Sequence, residues 1–202
     1  SLVVSAIRTG RESAAAATFV DSKSVQGNIP TGLAFNTDGT KMFVTNVTND
    51  DIDEYTLSTG FDVSTASYDS NFSVASQDGG PQGIAFNTDG TKMFIGGKDN
   101  GKVFEYTLST GFDVSTASFV DGFSISSQET HISDLAFSTD GTKMFIVGTN
   151  STSVFEYNLS TGFDVSTASY VDGFSVSSQE TLPTGLEFSA DGKRMFITGN
   201  NG

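Results

Sequence analysis

The residues that could do chemistry are few. His131 is the only histidine, and it stands three positions before Asp134. A histidine near an acid can serve as a general base or a metal ligand. One histidine and no cysteine cannot build a His-rich or thiolate metal site. Serine is abundant, but no G-x-S-x-G elbow marks a nucleophile. His131 therefore reads as a polar loop residue, and no catalytic residue is assigned. Asp50, Asp51 and Asp53 offer the carboxylate oxygens that Ca²⁺ takes in sets of six to eight. The full EF-hand loop is absent, so the three acids read as a solvated loop. No metal site and no cofactor are expected, Ca²⁺ being the one candidate ion. Glu54, Glu105 and Glu156 recur at a fixed distance from Lys41, Lys92 and Lys143. Such pairs on neighbouring strands form ion pairs worth a few tenths of a kcal/mol, about 1 at most. Tyr55, Tyr106 and Tyr157 recur with them and read as packing rather than sugar-stacking residues.

Elements must position these residues, and the repeat shows which. GLAFNTDGTKMF starts at Gly32, GIAFNTDGTKMF at Gly83, DLAFSTDGTKMF at Asp134 and GLEFSADGKRMF at Gly185, a spacing of 51 each time. EYTLSTGFDVSTAS starts at Glu54 and Glu105, and EYNLSTGFDVSTAS at Glu156, again 51 apart. Repeats of this length are supersecondary units that bury their faces by stacking. Each unit reads as four short strands: Thr31 to Asn36, a Thr-Asp-Gly turn, Lys41 to Asn46, a strand like Val103–Leu108, a Ser-Thr-Gly turn, and a strand like Ser118–Ser126. Asp-Gly between apolar runs is a hairpin signal. Phe104, Tyr106 and Leu108 alternate with Val103, Glu105 and Thr107 in the two-residue period of a strand. The Ala-rich Arg11–Ala17 segment is the one place with some helical character, and its place in the repeat belongs to a loop and strand. Four antiparallel strands per unit make the blade of an all-β propeller.

The segment from Pro30 to Asn46, PTGLAFNTDGTKMFVTN, resembles the strand pair of YVTN-type and lactonase-like propeller repeats. The whole unit resembles repeats of marine bacteriophage tail and surface proteins, which carry near-identical EYTLSTGFDVSTAS strings. WD-repeat and kelch patterns are not matched. The phage resemblance implies a virion or extracellular location, with a glycan or protein receptor as partner. The lactonase resemblance implies an enzyme with a site near the axis.

Residues 1–202 read as a single propeller domain. Thr18-Phe19-Val20-Asp21 matches Ser118-Phe119-Val120-Asp121, so residues 1–24 supply strands three and four of the blade that residues 183–202 begin. Pairing these ends predicts a ring of four blades in a monomer. Two chains sharing an eight-bladed ring, or a piece of a longer array, are the alternatives. The first-to-second and third-to-fourth turns hardly change between units, whereas the loops on the opposite rim do. Loops on a rigid scaffold commonly carry recognition. The candidate ligand-binding residues are therefore Asn46, Thr48, Asn49, Asp50, Asp51, Lys98, Asp99, Asn100, Lys102, Thr149, Asn150 and His131. A formal charge of −14 argues against nucleic acid and anionic membrane surfaces. No run approaches the ~18 apolar residues of a spanning helix. The reading is a non-enzymatic binding or structural module, with a lactonase- or esterase-like enzyme and a passive spacer as alternatives.

Overall fold

The computed structural model describes residues 3–10, 13–27 and 29–200. Its regular elements are strands and three short 3₁₀ turns. The first complete blade is β3 (Pro30–Phe35), β4 (Lys41–Asn46), β5 (Asp51–Leu57) and β6 (Ala66–Ser73). The second is β7 (Pro81–Phe86), β8 (Lys92–Gly97), β9 (Lys102–Leu108) and β10 (Ala117–Ser124). The third is β11 (Ile132–Phe137), β12 (Lys143–Gly148), β13 (Ser153–Leu159) and β14 (Ala168–Ser175). Each is an antiparallel meander in sequence order. Two-stranded sheets flank them: β1 (Val3–Gly10) with β2 (Ser13–Ser24), and β15 (Pro183–Phe188) with β16 (Met195–Gly199). The Ala-rich segment is thus within a strand from Ser13 onward.

The constant turns have a local cause. The Asp38 carboxylate accepts the Thr40 N–H at 3.0 Å and the Thr40 hydroxyl at 2.6 Å. These bonds hold its pKa below the ordinary value. Gly39 then takes φ 72°, a left-handed conformation that favours glycine. A Cβ there would overlap the Phe61 ring, and the Phe61 N–H donates to the Gly39 carbonyl at 2.9 Å. Gly90 with Phe112 and Gly141 with Phe163 repeat the arrangement. The third-to-fourth turn contains a 3₁₀ turn capped by Asp62, Asp113 or Asp164.

The core lies between blades. Phe43, Ile52 and Val74 of the first blade pack with Ile84, Met93, Ile95, Phe104 and Tyr106 of the second. Phe94, Val103 and Ile125 of the second do the same with Ile132, Met144, Ile146 and Tyr157 of the third. Burying such a side chain contributes about 1.5–3 kcal/mol. The tyrosines therefore pack blades, as their strand positions indicated.

The Lys–Glu pairs do more than expected. Lys41 pairs with Glu54, Lys92 with Glu105 and Lys143 with Glu156. Glu54 Oε2 also accepts the Val114 N–H of the next blade at 2.8 Å, and Glu105 Oε2 the Val165 N–H at 3.0 Å. Both glutamates are buried, so each carboxylate straps two blades together and removing it strands a buried N–H and an ammonium. Desolvation raises the Glu54 pKa, against the lowering pull of Lys41.

The inner strands pack in the order β3, β7, β11, β15, and β15 makes no comparably packed pair with β3. Among the described residues β16 makes no ladder with β1. The blade architecture is as the repeat indicated, with repeated four-stranded antiparallel sheets consistent with a four-bladed propeller.

Candidate functional site

The third to fifth residues of the inner strands read Gly-Leu-Ala, Gly-Ile-Ala, Asp-Leu-Ala and Gly-Leu-Glu. The glycines are spatial necessities. A Cβ on Gly83 would lie 2.7 Å from the Asp134 Cα, and one on Gly32 would overlap the Gln82 carbonyl. The two departures from the pattern are acids, Asp134 and Glu187. Both line an open axial cavity of about 480 Å³ bordered by β3, β7, β11 and β15, whose other walls are Leu, Ile, Ala and Phe.

Asp134 is partly buried and bridges two strands. Its Oδ1 accepts the Leu135 N–H at 2.9 Å, and its Oδ2 accepts the Leu186 N–H of β15 at 2.8 Å. Desolvation pushes its pKa up to about 6; Glu187 adds to the rise and the two backbone bonds oppose it. Each oxygen keeps a lone pair for a water or a ligand. The same junction between β3 and β7 uses neutral groups: Thr31 Oγ1 donates to the Pro81 carbonyl at 2.9 Å and Thr45 Oγ1 to the Gln82 carbonyl at 2.7 Å. The sequence reading met Asp134 as a neighbour of His131 that replaces a glycine, gave it no role, and passed over Glu187. The available signal was an acid in a column of glycine and an acid in a column of alanine.

The other rim gathers the variable loops. Val47 N–H bonds the Ile29 carbonyl, Lys98 N–H the Gly80 carbonyl and Thr149 N–H the His131 carbonyl, so each β-strand-two loop lies beside the entry loop of its own blade. Thr48, Asn49, Lys98, Asp99, Asn100, Lys102 and Asn150 are exposed there. Asp50, Thr149 and His131 are partly buried. Asn100 Nδ2 donates to the Gln77 carbonyl and Asn150 Nδ2 to Thr130 Oγ1, both at 2.7 Å. His131 lies outside the axial cavity, its backbone N–H bonded to Glu129 Oε1 at 2.7 Å.

Two of the candidates are not surface groups. Asn46 is buried, its Oδ1 accepting the Thr48 N–H at 3.0 Å. Asp51 is buried with Asp53 on β5, and Asn71 Nδ2 donates to Asp51 Oδ2 at 2.7 Å. The reading of Asp50, Asp51 and Asp53 as a solvated loop is thus corrected, because β5 begins at Asp51 and turns both later acids toward the preceding sheet. Desolvation, with Asp51 adding repulsion, pushes the Asp53 pKa up to about 6. Among the described residues no three acids or histidines are placed to hold a metal ion.

No family model and no curated protein matches this sequence. Solved structures do resemble the fold. A protein from Lactobacillus plantarum aligns at TM-score 0.66 and 13% identity, over 98% of this chain and 58% of its own. A protein from Bacteroides fragilis assigned as a 6-phosphogluconolactonase aligns at TM-score 0.62 and 14% identity, over 96% and 57%. The periplasmic gluconolactonase of Pseudomonas aeruginosa aligns at TM-score 0.59 and 14% identity, over 98% and 56%. The chain spans little more than half the length of each. At this identity the likeness concerns the fold alone, and by fold the chain is a β-propeller.

Proposed function

We propose that the axial cavity is a ligand site of lactonase type, taking a small cyclic ester, with Asp134 as the group that activates water. The observation that carries this reading is the single partly buried carboxylate that replaces glycine on an inner strand and faces the axis. The names of two of the resembling structures support it. A carboxylate with pKa near 6 is ionised at neutral pH and basic enough to accept a proton. In this scheme Asp134 takes a proton from water as the water oxygen bonds to the lactone carbonyl carbon. The ring C–O bond then breaks, and the Asp134 proton passes to the departing alkoxide. Glu187 raises the basicity of Asp134 through charge. The test is proton release from a lactone panel, glucono-δ-lactone included, measured in a pH-stat above the spontaneous rate. Catalysis by the native chain, lost in Asp134→Asn with an unchanged melting temperature, supports the reading. No catalysis by folded protein overturns it.

A second reading rests on the exposed Lys98, Asp99, Asn100 and Lys102 of one variable loop and the exposed Thr48 and Asn49 of another. Such side chains suit a hydroxylated ligand or a glycan on a cell or virion surface. Glycan-array binding that survives Asp134→Asn and disappears when residues 97–102 are exchanged for 148–153 would favour it.

A further inference from the structure

We propose that the buried polar face of the first blade, built by Asp51, Asp53 and Asn71, binds one Ca²⁺ ion.

Register puts these side chains together. Asp51 is opposite Asn46 on β4 and Ser73 on β6, and Asp53 is opposite Asn71. Opposed residues, and residues two apart on one strand, share a face of the sheet. The next two blades carry a different set there. The equivalents of Asp53 and Asn71 are Phe104 and Gly122 in the second blade, and Phe155 and Gly173 in the third. In those blades the ring lies over the glycine, 3.1 and 3.0 Å from where a Cβ would stand. In the first blade an acid replaces the ring and an amide replaces the glycine. Asn46 likewise stands where Gly97 and Gly148 stand. An apolar contact has been exchanged, as a set, for oxygen-bearing side chains.

The exchange leaves polar atoms without partners inside the protein. Asp53 is 1% exposed and Asp51 4%. Asp53 Oδ2 and Asp51 Oδ1 have no hydrogen-bond partner, nor has Nδ2 of the fully buried Asn46. Asn71 Nδ2 donates to the other Asp51 oxygen, Oδ2, at 2.7 Å. The ion pairs among the described residues use Glu54, Glu105 and Glu156, and none reaches Asp51 or Asp53. A buried carboxylate without a partner is costly, and two close together repel. Desolvation and that repulsion raise the Asp53 pKa. A divalent cation answers both the charge and the unpartnered oxygens.

The donor set chooses the ion. Carboxylate, amide and water oxygens are hard ligands of the kind Ca²⁺ takes. Two acids rather than three meet here, so Asn71 Oδ1 and water complete the shell. Ca²⁺ accepts such mixed, irregular sets, whereas Mg²⁺ demands a near-ideal octahedron. Asn71 and Ser73 lie on the outermost strand and are exposed, which gives the ion a way in. Two carboxylates place the site at the weak end of Ca²⁺ affinity, with Kd about 10⁻⁴–10⁻³ M.

The test compares melting temperatures at neutral pH in EDTA, in about 10 mM CaCl₂, in MgCl₂ at the same concentration, and in NaCl of matched ionic strength. The NaCl arm accounts for general screening of a chain with formal charge −14. CaCl₂ should raise the midpoint by about 3–10 °C over the other three. Calorimetric titration with CaCl₂ should give one site per chain. Asp51→Asn should lose most of the rise. Asp53→Phe/Asn71→Gly restores the contact of the other blades, and should lose the rise while keeping the strand signal in circular dichroism. No calcium-specific rise in the folded native chain overturns the proposal. So does a rise that survives in both variants, which would put the ion on other carboxylates, or an equal rise with MgCl₂.

Discussion

The side chain of Glu129 fills the space that a Cβ on Gly148 would occupy. From there its Oε1 accepts the Thr130 and His131 N–H groups at 2.8 and 2.7 Å, and its Oε2 the Ser151 N–H and hydroxyl at 2.9 and 2.7 Å. Asp78 stands in the same relation to Gly97, and Glu180 to Gly199. In the first blade the roles are reversed: Asn46 supplies the side chain and Gly27 the space. An acid and a glycine in three of the blades, and an asparagine and a glycine in the first, thus fit side chain to space where the two loops of the variable rim meet.

Gly148→Ala should destabilise the chain by about 1–3 kcal/mol, because the interior cannot absorb an added carbon cheaply. Glu129→Ala should lose about 2–4 kcal/mol, since it strands several donors at once. Urea unfolding followed by circular dichroism measures both.

Gly39 and Gly192 allow the turn to be dissected. Both have positive φ, 72° and 68°, but only Gly39 lies under a phenylalanine ring; nothing is within 4 Å of a Cβ on Gly192. Alanine at either position incurs backbone strain of about 1–2 kcal/mol. Gly39→Ala should cost more by the ring overlap, visible as a lower melting temperature than that of Gly192→Ala. Equal losses would show that the ring moves aside freely.

The blade strap predicts an asymmetry between equivalent glutamates. Glu105→Gln weakens a buried pair with Lys92 and a bond to the next blade, and should lose about 1–3 kcal/mol. Glu156→Gln touches only an exposed lysine and should lose under about 1 kcal/mol. Denaturant midpoints of the two variants, taken with equal slopes, decide it.

Asp53 predicts a pH dependence. Its folded pKa of about 6 lies above the ordinary 3.8, so the folded chain binds this proton more tightly than the unfolded chain does. Its contribution to stability is full below about 3.8 and is lost as pH rises through 6. Asp53→Asn should therefore be at least as stable as the native chain at pH 7.5, with its relative advantage shrinking toward pH 4.5. Melting temperatures of both proteins across that range provide the check.

Much of the fold was legible because the constraints repeat. The Asp38-Gly39 turn and the alternation around Tyr106 are local, and three or four copies make them unmistakable. The burial of Asp51 and Asp53 was missed. Both occupy polar sequence beside a loop, yet Asp53 pairs with Val44 in the ladder where Phe104 pairs with Ile95 in the next blade. A comparison of the repeats position by position, charge against aromatic, would have exposed it. The same comparison marks Asp134 and Glu187 as the acids of the inner strands.

The most direct measurement is the pH–rate profile of lactone hydrolysis by the native chain, with Asp134→Asn alongside. The account predicts a rate above background that rises with pH through about 6, where the Asp134 carboxyl loses its proton, and that collapses in the variant. Hydrolysis at the spontaneous rate throughout, or an equal profile in Asp134→Asn, would contradict the assignment of the axial carboxylate.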